Sequence, residues 1–491
     1  VSGFAIAGGL LFAWLLRHGS FQPYFETDSH DYIELSGRMF FTRAALRSIR
    51  TLGYPLFLKM IGLVSSAPEA VPIAQFLVFL LALAIFFTGL TRFGATRRFA
   101  SAVTAYLAVV ICAQTTFSTD NFRPGMFYFS RVLTESLNVS AGIALFGVLL
   151  WLAAARTARA AWTLGGVAAA LLFACYQVRP ANLFLIGLGP VVLAALVRLR
   201  RGVAFFRLAA RKAGPALAAL AIGPLIGFCL FRGIAVGHFG LVSFGGHNFV
   251  GITGQLLSAD MVPGLPEDIR PLAEAILERR EKWGFVSPVL GRYNLSCKRL
   301  EGFFDTMQWR IADPAAAGLF GNDMVAMNRA LSRLSFAVIR RLPGVYAAWI
   351  AKTLGASFTM AMSTPAFLLP AIGLLLLGAL AAVAPLVPGL ELPGIEAALE
   401  REPEAVSALW LIAVGFFAVQ MFMIVLVQEP LPRYVFSSEV FLPLIPFAGL
   451  FNWVSCLRRD RVARGTRAVE RADRGGDLVD LRLGKRRAHR E

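Results

Sequence analysis

The feature that most restricts this chain is a series of about ten apolar runs, each near the length that crosses the roughly 30 Å hydrocarbon core of a bilayer. They fall near residues 1–16, 71–90, 99–118, 134–154, 162–178, 181–197, 214–236, 364–386, 408–428 and 434–456. Hydrocarbon offers no water to satisfy backbone N–H and C=O groups, so such runs fold as helices. The 491 residues are 57% hydrophobic, more apolar than a soluble domain. The sequence therefore predicts an all-α polytopic membrane protein. Amphipathic juxtamembrane helices are expected in the first outer loop, and a partly helical outer subdomain after the seventh span.

A net charge of +18 raises the question of nucleic acid. Its placement answers no, because the charge forms no single patch or stripe. Short basic loops at 91–99, 156–162 and 198–212 alternate with apolar runs, and the tail is Arg-rich. This is the positive-inside pattern, and it assigns these loops and the tail to the cytoplasm. One segment departs: 391–405 should face the same side, yet it is acidic. The resulting division is a transmembrane module at 1–236 with an outer loop at 17–70, an outer subdomain at 237–345, C-terminal spans at 346–456, and a basic, disordered tail at 457–491. Four of the five cysteines lie in apolar runs, Cys297 being the other, with no CxxC pair; neither a disulfide framework nor a zinc site is expected. The first run has no basic n-region or cleavage site, so no signal peptide is expected. No internal repeat of the transporter kind is visible.

Charges beside hydrocarbon are costly and point to function. On this topology they gather at the outer face. Asp28 and Asp31 follow the first span in "FETDSHDYIELSGRM". Arg123 and Arg131 lie in the second outer loop, and Glu135 opens the next span. Arg179 closes a span in "YQVRPAN", and Arg433 and Glu439 flank the last outer turn. His247 lies in the Gly-rich "FGGHNFVGITG", which lacks a P-loop lysine and follows no strand pattern, so nucleotide binding is not expected and its glycines read as a flexible outer loop. If a helix starts at Asp28, that residue is its N-cap, Asp31 sits at N3, and Asp28, Asp31 and Tyr32 share one face. Glu26, Glu34 and His30 read as solvated, Arg131 as the partner of Glu135, and Lys59 as snorkelling from an interfacial helix. Arginines can clamp a phosphate, and a carboxylate can take a proton from a hydroxyl.

"TDSHDYIELSGRM" followed by "TLGYPLFLKMIG" (51–62) resembles the first outer loop of GT-C membrane glycosyltransferases, in particular the protein mannosyltransferase and aminoarabinose-lipid A transferase branch. "RVLTESLNV", "VRPANLFLIGL" and "PRYVFSSEVFLPLIPF" add to the likeness. The family's acidic pair is Asp28-Ser29 here, with Asp31 as the other acid. The resemblance implies a hexosyl- or pentosyltransferase that inverts configuration, taking a sugar from a polyprenyl-phosphate donor among the membrane lipids. The acceptor would be a glycan, lipid or protein on the outer face of a bacterial inner membrane. It implies Asp28 or Asp31 as base, with Arg179, Arg433, Glu135, Glu439, Tyr54 and His247 binding the donor. Some relatives use a divalent metal, Mg or Mn, and Asp28 and Asp31 would hold one. Two other readings fit a chain of this type: a lipid or polysaccharide transporter, and a polysaccharide ligase or polymerase working through 237–345.

Overall fold

The computed structural model describes residues 2–17, 19, 21–117, 129–284, 302–386, 401–430 and 432–457. Arg123, Cys297 and the tail from 458 onward lie outside them. Helices α1 (Ser2–Arg17), α2 (Thr27–Gly37), α3 (Arg43–Leu46) and α4 (Gly53–Val64) lead into α5 (Ala70–Phe93), α6 (Arg97–Phe117), α7 (Thr134–Ala154) and α8 (Ala158–Val178). Then come α9 (Leu185–Arg201), α10 (Val203–Leu208), α11 (Gly214–Val236), α12 (Gly245–Leu256) and α13 (Arg270–Lys282). The chain continues through α14 (Asp313–Phe320), α15 (Met324–Arg341), α16 (Pro343–Met362), α17 (Pro365–Val383), α18 (Pro403–Val425), α19 (Pro432–Glu439) and α20 (Leu444–Leu457). Among the described residues the only β pairing is an isolated bridge between Tyr24 and Arg131.

Among the described residues, seven helical stretches are long and apolar enough to cross a membrane: α5, α7, α8, the stretch from Pro180 through α9, the stretch from Arg211 through α11, α17 and α18. The protein is an integral membrane protein by this measure. Three of the expected spans fall outside the seven. Helix α1 has 16 residues, α6 begins on Arg97 and Arg98 and carries polar residues along its length, and the last run is split into α19 and α20. The split has a local cause. Pro443 has no amide to donate to the Glu439 carbonyl, and its ring crowds that carbonyl. The amide of Leu442 turns back to the Glu439 oxygen instead, at 2.7 Å.

Beyond its polar first two turns, helix α7 is apolar on every side, which suits a helix surrounded by others. Its span is 78% buried, against 6% for α17, so α7 is the centre of the bundle and α17 lies at its rim. The contact of α5 with α7 depends on two glycines. A Cβ on Gly89 would sit 2.2 Å from the Gly147 oxygen, and one on Gly147 would sit 2.7 Å from the Phe86 Cα. Small residues of this kind let membrane helices approach closely.

The bundle sorts its charges to two ends. At one end are the C-terminus of α9 and the N-terminus of α18: Arg200 pairs with Glu404 at 2.8 Å, and the Thr96 amide donates to Glu402 at 3.1 Å. Arg201 donates to the Ala155 carbonyl, and Arg92 lies over the Trp151 ring at 5.9 Å. Of the acidic segment that departed from the charge rule, Glu402 and Glu404 thus meet the basic loops at the same end, and Glu404 answers a neighbouring arginine; residues 391–400 lie outside the described residues.

Beyond α11 the chain builds a second hydrophobic core from α12 to the start of α16, including Val250, Leu272, Met307, Leu331 and Trp349. Here one expectation is corrected: the Gly-rich 245–254 stretch is helix α12, not a flexible loop. Glycine costs a helix up to about 1 kcal/mol per residue, and close packing explains its presence. A Cβ on Gly246 would meet the Asn328 oxygen at 2.2 Å, and one on Gly251 would meet the Phe304 ring at 2.4 Å. Arg232, buried near the end of α11, ties this part to the first loop. It donates to the carbonyls of Leu46 and Gly240 and to the Ser243 hydroxyl.

Candidate functional site

At the end of the bundle opposite the basic loops, α2 sets the geometry. Its N-cap is Glu26 rather than Asp28, and it forms a capping box with Ser29, whose hydroxyl accepts from the Glu26 amide at 2.9 Å. Asp28 therefore lies inside the first turn, and Asp28, Asp31 and Tyr32 share a face as their spacing requires. Arg50 closes that face. Its Nη2 donates to Asp28 Oδ1 at 2.8 Å and to Asp31 Oδ2 at 2.9 Å, and its Nε donates to Asp31 Oδ2 at 3.1 Å. The guanidinium also sits 5.1 Å from the Tyr32 ring centre and 5.9 Å from that of Phe244. Burial opposes the charge on Arg50, but Tyr32, Asp28 and Asp31 outweigh it and hold the guanidinium above its ordinary pKa.

Tyr32 is the hub. Its ring meets Tyr54 edge to face at 5.2 Å. Burial raises its phenol pKa; Arg50 opposes that, Glu135 and Asp28 add to it, and Arg179 opposes it. The phenol thus stays protonated and able to donate, with both carboxylate–guanidinium groups in electrostatic reach. Tyr54 is fully buried behind it, and its hydroxyl makes a long contact with Gln75 Oε1 at 3.4 Å.

Two further pairs complete the cluster. Glu26, expected in solvent, instead pairs with Arg131 at 2.8 Å. This pair sits on the bridge in which the Tyr24 amide donates to Ser130 at 2.7 Å and the Val132 amide donates to Tyr24 at 3.0 Å, so the first loop is fastened to the entrance of α7. Glu135 opens α7 just beyond that bridge. It pairs with Arg179 at 3.4 Å, both side chains about nine-tenths buried. Pro180 disfavours a helical Arg179, which ends α8 and leaves that residue extended. The Arg179 guanidinium lies 4.4 Å over the Tyr434 ring, and the Tyr434 hydroxyl accepts from Gln428 at 3.0 Å. The first loop presses on this corner: a Cβ on Gly53 would sit 2.5 Å from the Gln177 backbone. Below it, both amide atoms of Gln177, the Ser136 hydroxyl and Asn138 Nδ2 are buried without hydrogen-bond partners. Such atoms cost free energy when left unmade and so ask for a ligand or water.

Of the residues read from sequence, Asp28 and Asp31 come together, as do Glu135 and Arg179, and Tyr54 stands behind them. Glu439 is fully buried at the end of α19, the helix that carries Tyr434. The Arg433 side chain lies outside the described residues. His247 faces the second core rather than the cluster. It is fully buried, its Nδ1 lies 2.5 Å from Asp313 Oδ1, and its Nε2 is buried with no hydrogen-bond partner. Phe244 stacks on His247 at 5.7 Å and separates it from Arg50. His30 and Glu34 are exposed, as expected.

Arg50, Tyr434 and Asp313 escaped sequence reading. Arg50 belongs to "RSIRTLGYP", where it reads as one loop arginine among several, and its two partners lie 19 and 22 residues away. As a donor set, Asp28, Asp31 and Arg50 are two carboxylates already bridged by a cation. Among the described residues no three His, Cys, Asp or Glu side chains gather as a metal site would need. The set does not fit a divalent-cation cage, and no step is routed through a metal. It does fit a ligand with hydroxyl and anionic groups: acceptors on α2, donors at Arg50, Tyr32 and Arg179. No family model, curated protein or solved structure matches the chain.

Proposed function

We propose that this integral membrane protein is a glycosyltransferase of the GT-C type. It moves a sugar from a polyprenyl-phosphate donor to an acceptor on the outer face of a bacterial inner membrane. One observation carries the reading. Carboxylates and guanidiniums from four distant segments (Asp28 and Asp31, Arg50, Glu135, Arg179) gather around Tyr32 at the end of the bundle away from the basic loops. A donor carried by lipid would reach such a site from the bilayer.

In the reaction, Asp28 or Asp31 takes the proton of the acceptor hydroxyl. The hydroxyl oxygen bonds to the anomeric carbon from the face opposite the phosphate. The bond from that carbon to the phosphate oxygen breaks, and its electron pair stays on the lipid phosphate. Arg179 and Arg50, whose side chains are only 11% and 13% exposed, stabilise this charge as it develops, since donors held out of water act strongly. A base acting in this way contributes about 100- to 10,000-fold. The test uses membranes supplied with polyprenyl-phosphate sugars and compares wild type with Asp28→Asn and Asp31→Asn. At least one variant is expected to lose about 100-fold in rate or more. Full transfer by both would sink the assignment.

The His247–Asp313 pair favours a second reading, a polysaccharide ligase or polymerase whose base lies in 237–345. Aspartate can orient a histidine so that its other nitrogen takes a proton. His247→Gln separates the two: the second reading requires it to abolish activity that Asp28→Asn and Asp31→Asn leave intact.

A further inference from the structure

The second core contributes an aromatic face to the site. Residues 306–312 wind as a π-helix, a local form often found at functional positions. They present Trp309, which stays 41% exposed although it belongs to a well-packed unit. Its indole stacks on Phe244 at 5.9 Å, with 29° between the planes. The Phe244 ring in turn lies 5.9 Å from the Arg50 guanidinium, which holds Asp28 and Asp31. A continuous strip therefore runs from an open indole face, over a half-buried phenyl ring, to two carboxylates and a guanidinium.

A sugar ring has matching chemistry. One face is lined with C–H groups and packs on an aromatic plane, while the rim carries hydroxyls that bond to carboxylates and guanidinium. We infer that Trp309, backed by Phe244, is the stacking platform for a saccharide acceptor, with the reacting hydroxyl turned toward Asp28 and Asp31. This rests on the glycosyltransferase reading and names its acceptor class: an oligosaccharide, since the platform and the carboxylates are separated by more than one contact.

Binding can be read without transfer. The full chain, purified in detergent, is applied to an array of neutral and acidic oligosaccharides beside three variants. Trp309→Ala is expected to cut the retained signal at least tenfold, and Trp309→Phe to keep more than half of it. Trp162→Ala, which changes an exposed tryptophan on α8 far from the site, is expected to match wild type. The inference is overturned if wild type retains no glycan. It is equally overturned if Trp309→Ala binds as wild type does, or if both alanine variants lose signal alike, as a general membrane-anchoring role for exposed tryptophan would produce. Glycan retained without any transfer would remove the enzyme reading and leave the platform standing. Transfer to a peptide or phospholipid with no glycan retained would do the reverse.

Discussion

The two ends of the helical bundle use the same pair of residue types in opposite ways. At the basic end, Arg200 and Glu404 meet at 2.8 Å with their side chains 35% and 45% exposed. At the other end, Arg179 and Glu135 meet less closely, at 3.4 Å, with side chains only 11% and 10% exposed. An exposed pair costs little to place and contributes about 0–1 kcal/mol. A buried pair carries a desolvation penalty of several kcal/mol per ion, which Coulomb attraction repays only with good geometry. A 3.4 Å contact is not the geometry that stability alone would select. The basic end thus matches a role in setting orientation, where many arginines share the work. The buried end holds its charges out of water, where each acts more strongly on its neighbours.

That contrast is broken most directly at Arg179. Replacing it with Met takes from the buried Glu135 the guanidinium it pairs with, and the expected loss of stability is about 3–5 kcal/mol. Thermal unfolding in detergent, followed by size-exclusion chromatography, measures it. The double variant Glu135→Gln with Arg179→Met removes both charges and is expected to recover a large part of that stability while recovering no transfer activity. Full recovery of activity in the double variant would mean that the pair is only structural.

Arg232 sharpens the contrast, because it is a buried arginine satisfied by neutral acceptors. Its partners are two carbonyls and a hydroxyl. Arg232→Met leaves those acceptors unmet, at about 1–3 kcal/mol for a buried polar group. The loss is expected to be smaller than at Arg179, since no ion pair is broken. Leu46 and Ser243 lie close in sequence to Arg50 and Phe244, so cysteines at 50 and 244 should cross-link more slowly in an Arg232→Met background than in its absence. An unchanged rate would show that the two segments hold their places without the clamp.

How much of this was legible in the sequence follows from the range of each interaction. The apolar runs of α5, α7 and α18 announce themselves because twenty or so residues of one kind answer one solvent. The split at Pro443 had a local signal, a proline inside a run, but the run's hydropathy masked it. The face shared by Asp28, Asp31 and Tyr32 follows from helical spacing alone. Its partner does not: Arg50 reaches it across α2 and α3, and nothing in "RSIRTLGYP" separates that arginine from Arg47. Glycine disfavours helices locally, so 245–254 reads as a loop, whereas Asn328 and Phe304 press against it from more than 50 residues away and leave no space for a Cβ.

The smallest effect is expected where the sequence rule was loudest. Arg200→Ala and Glu404→Ala should each shift stability by no more than about 1 kcal/mol, and raising the salt concentration should shrink even that, since exposed charges are screened over a Debye length of about 10 Å at 0.1 M. The same salt series should leave the Glu135–Arg179 pair nearly unaffected, because ions cannot approach a buried contact. The two responses, measured as unfolding midpoints of Arg200→Ala, Glu404→Ala, Glu135→Ala and Arg179→Ala against salt, decide whether the ends differ in kind. If Arg179→Ala lost its effect in high salt as Arg200→Ala does, the buried pair would be wet, and the electrostatic argument for a shielded site would fail with it.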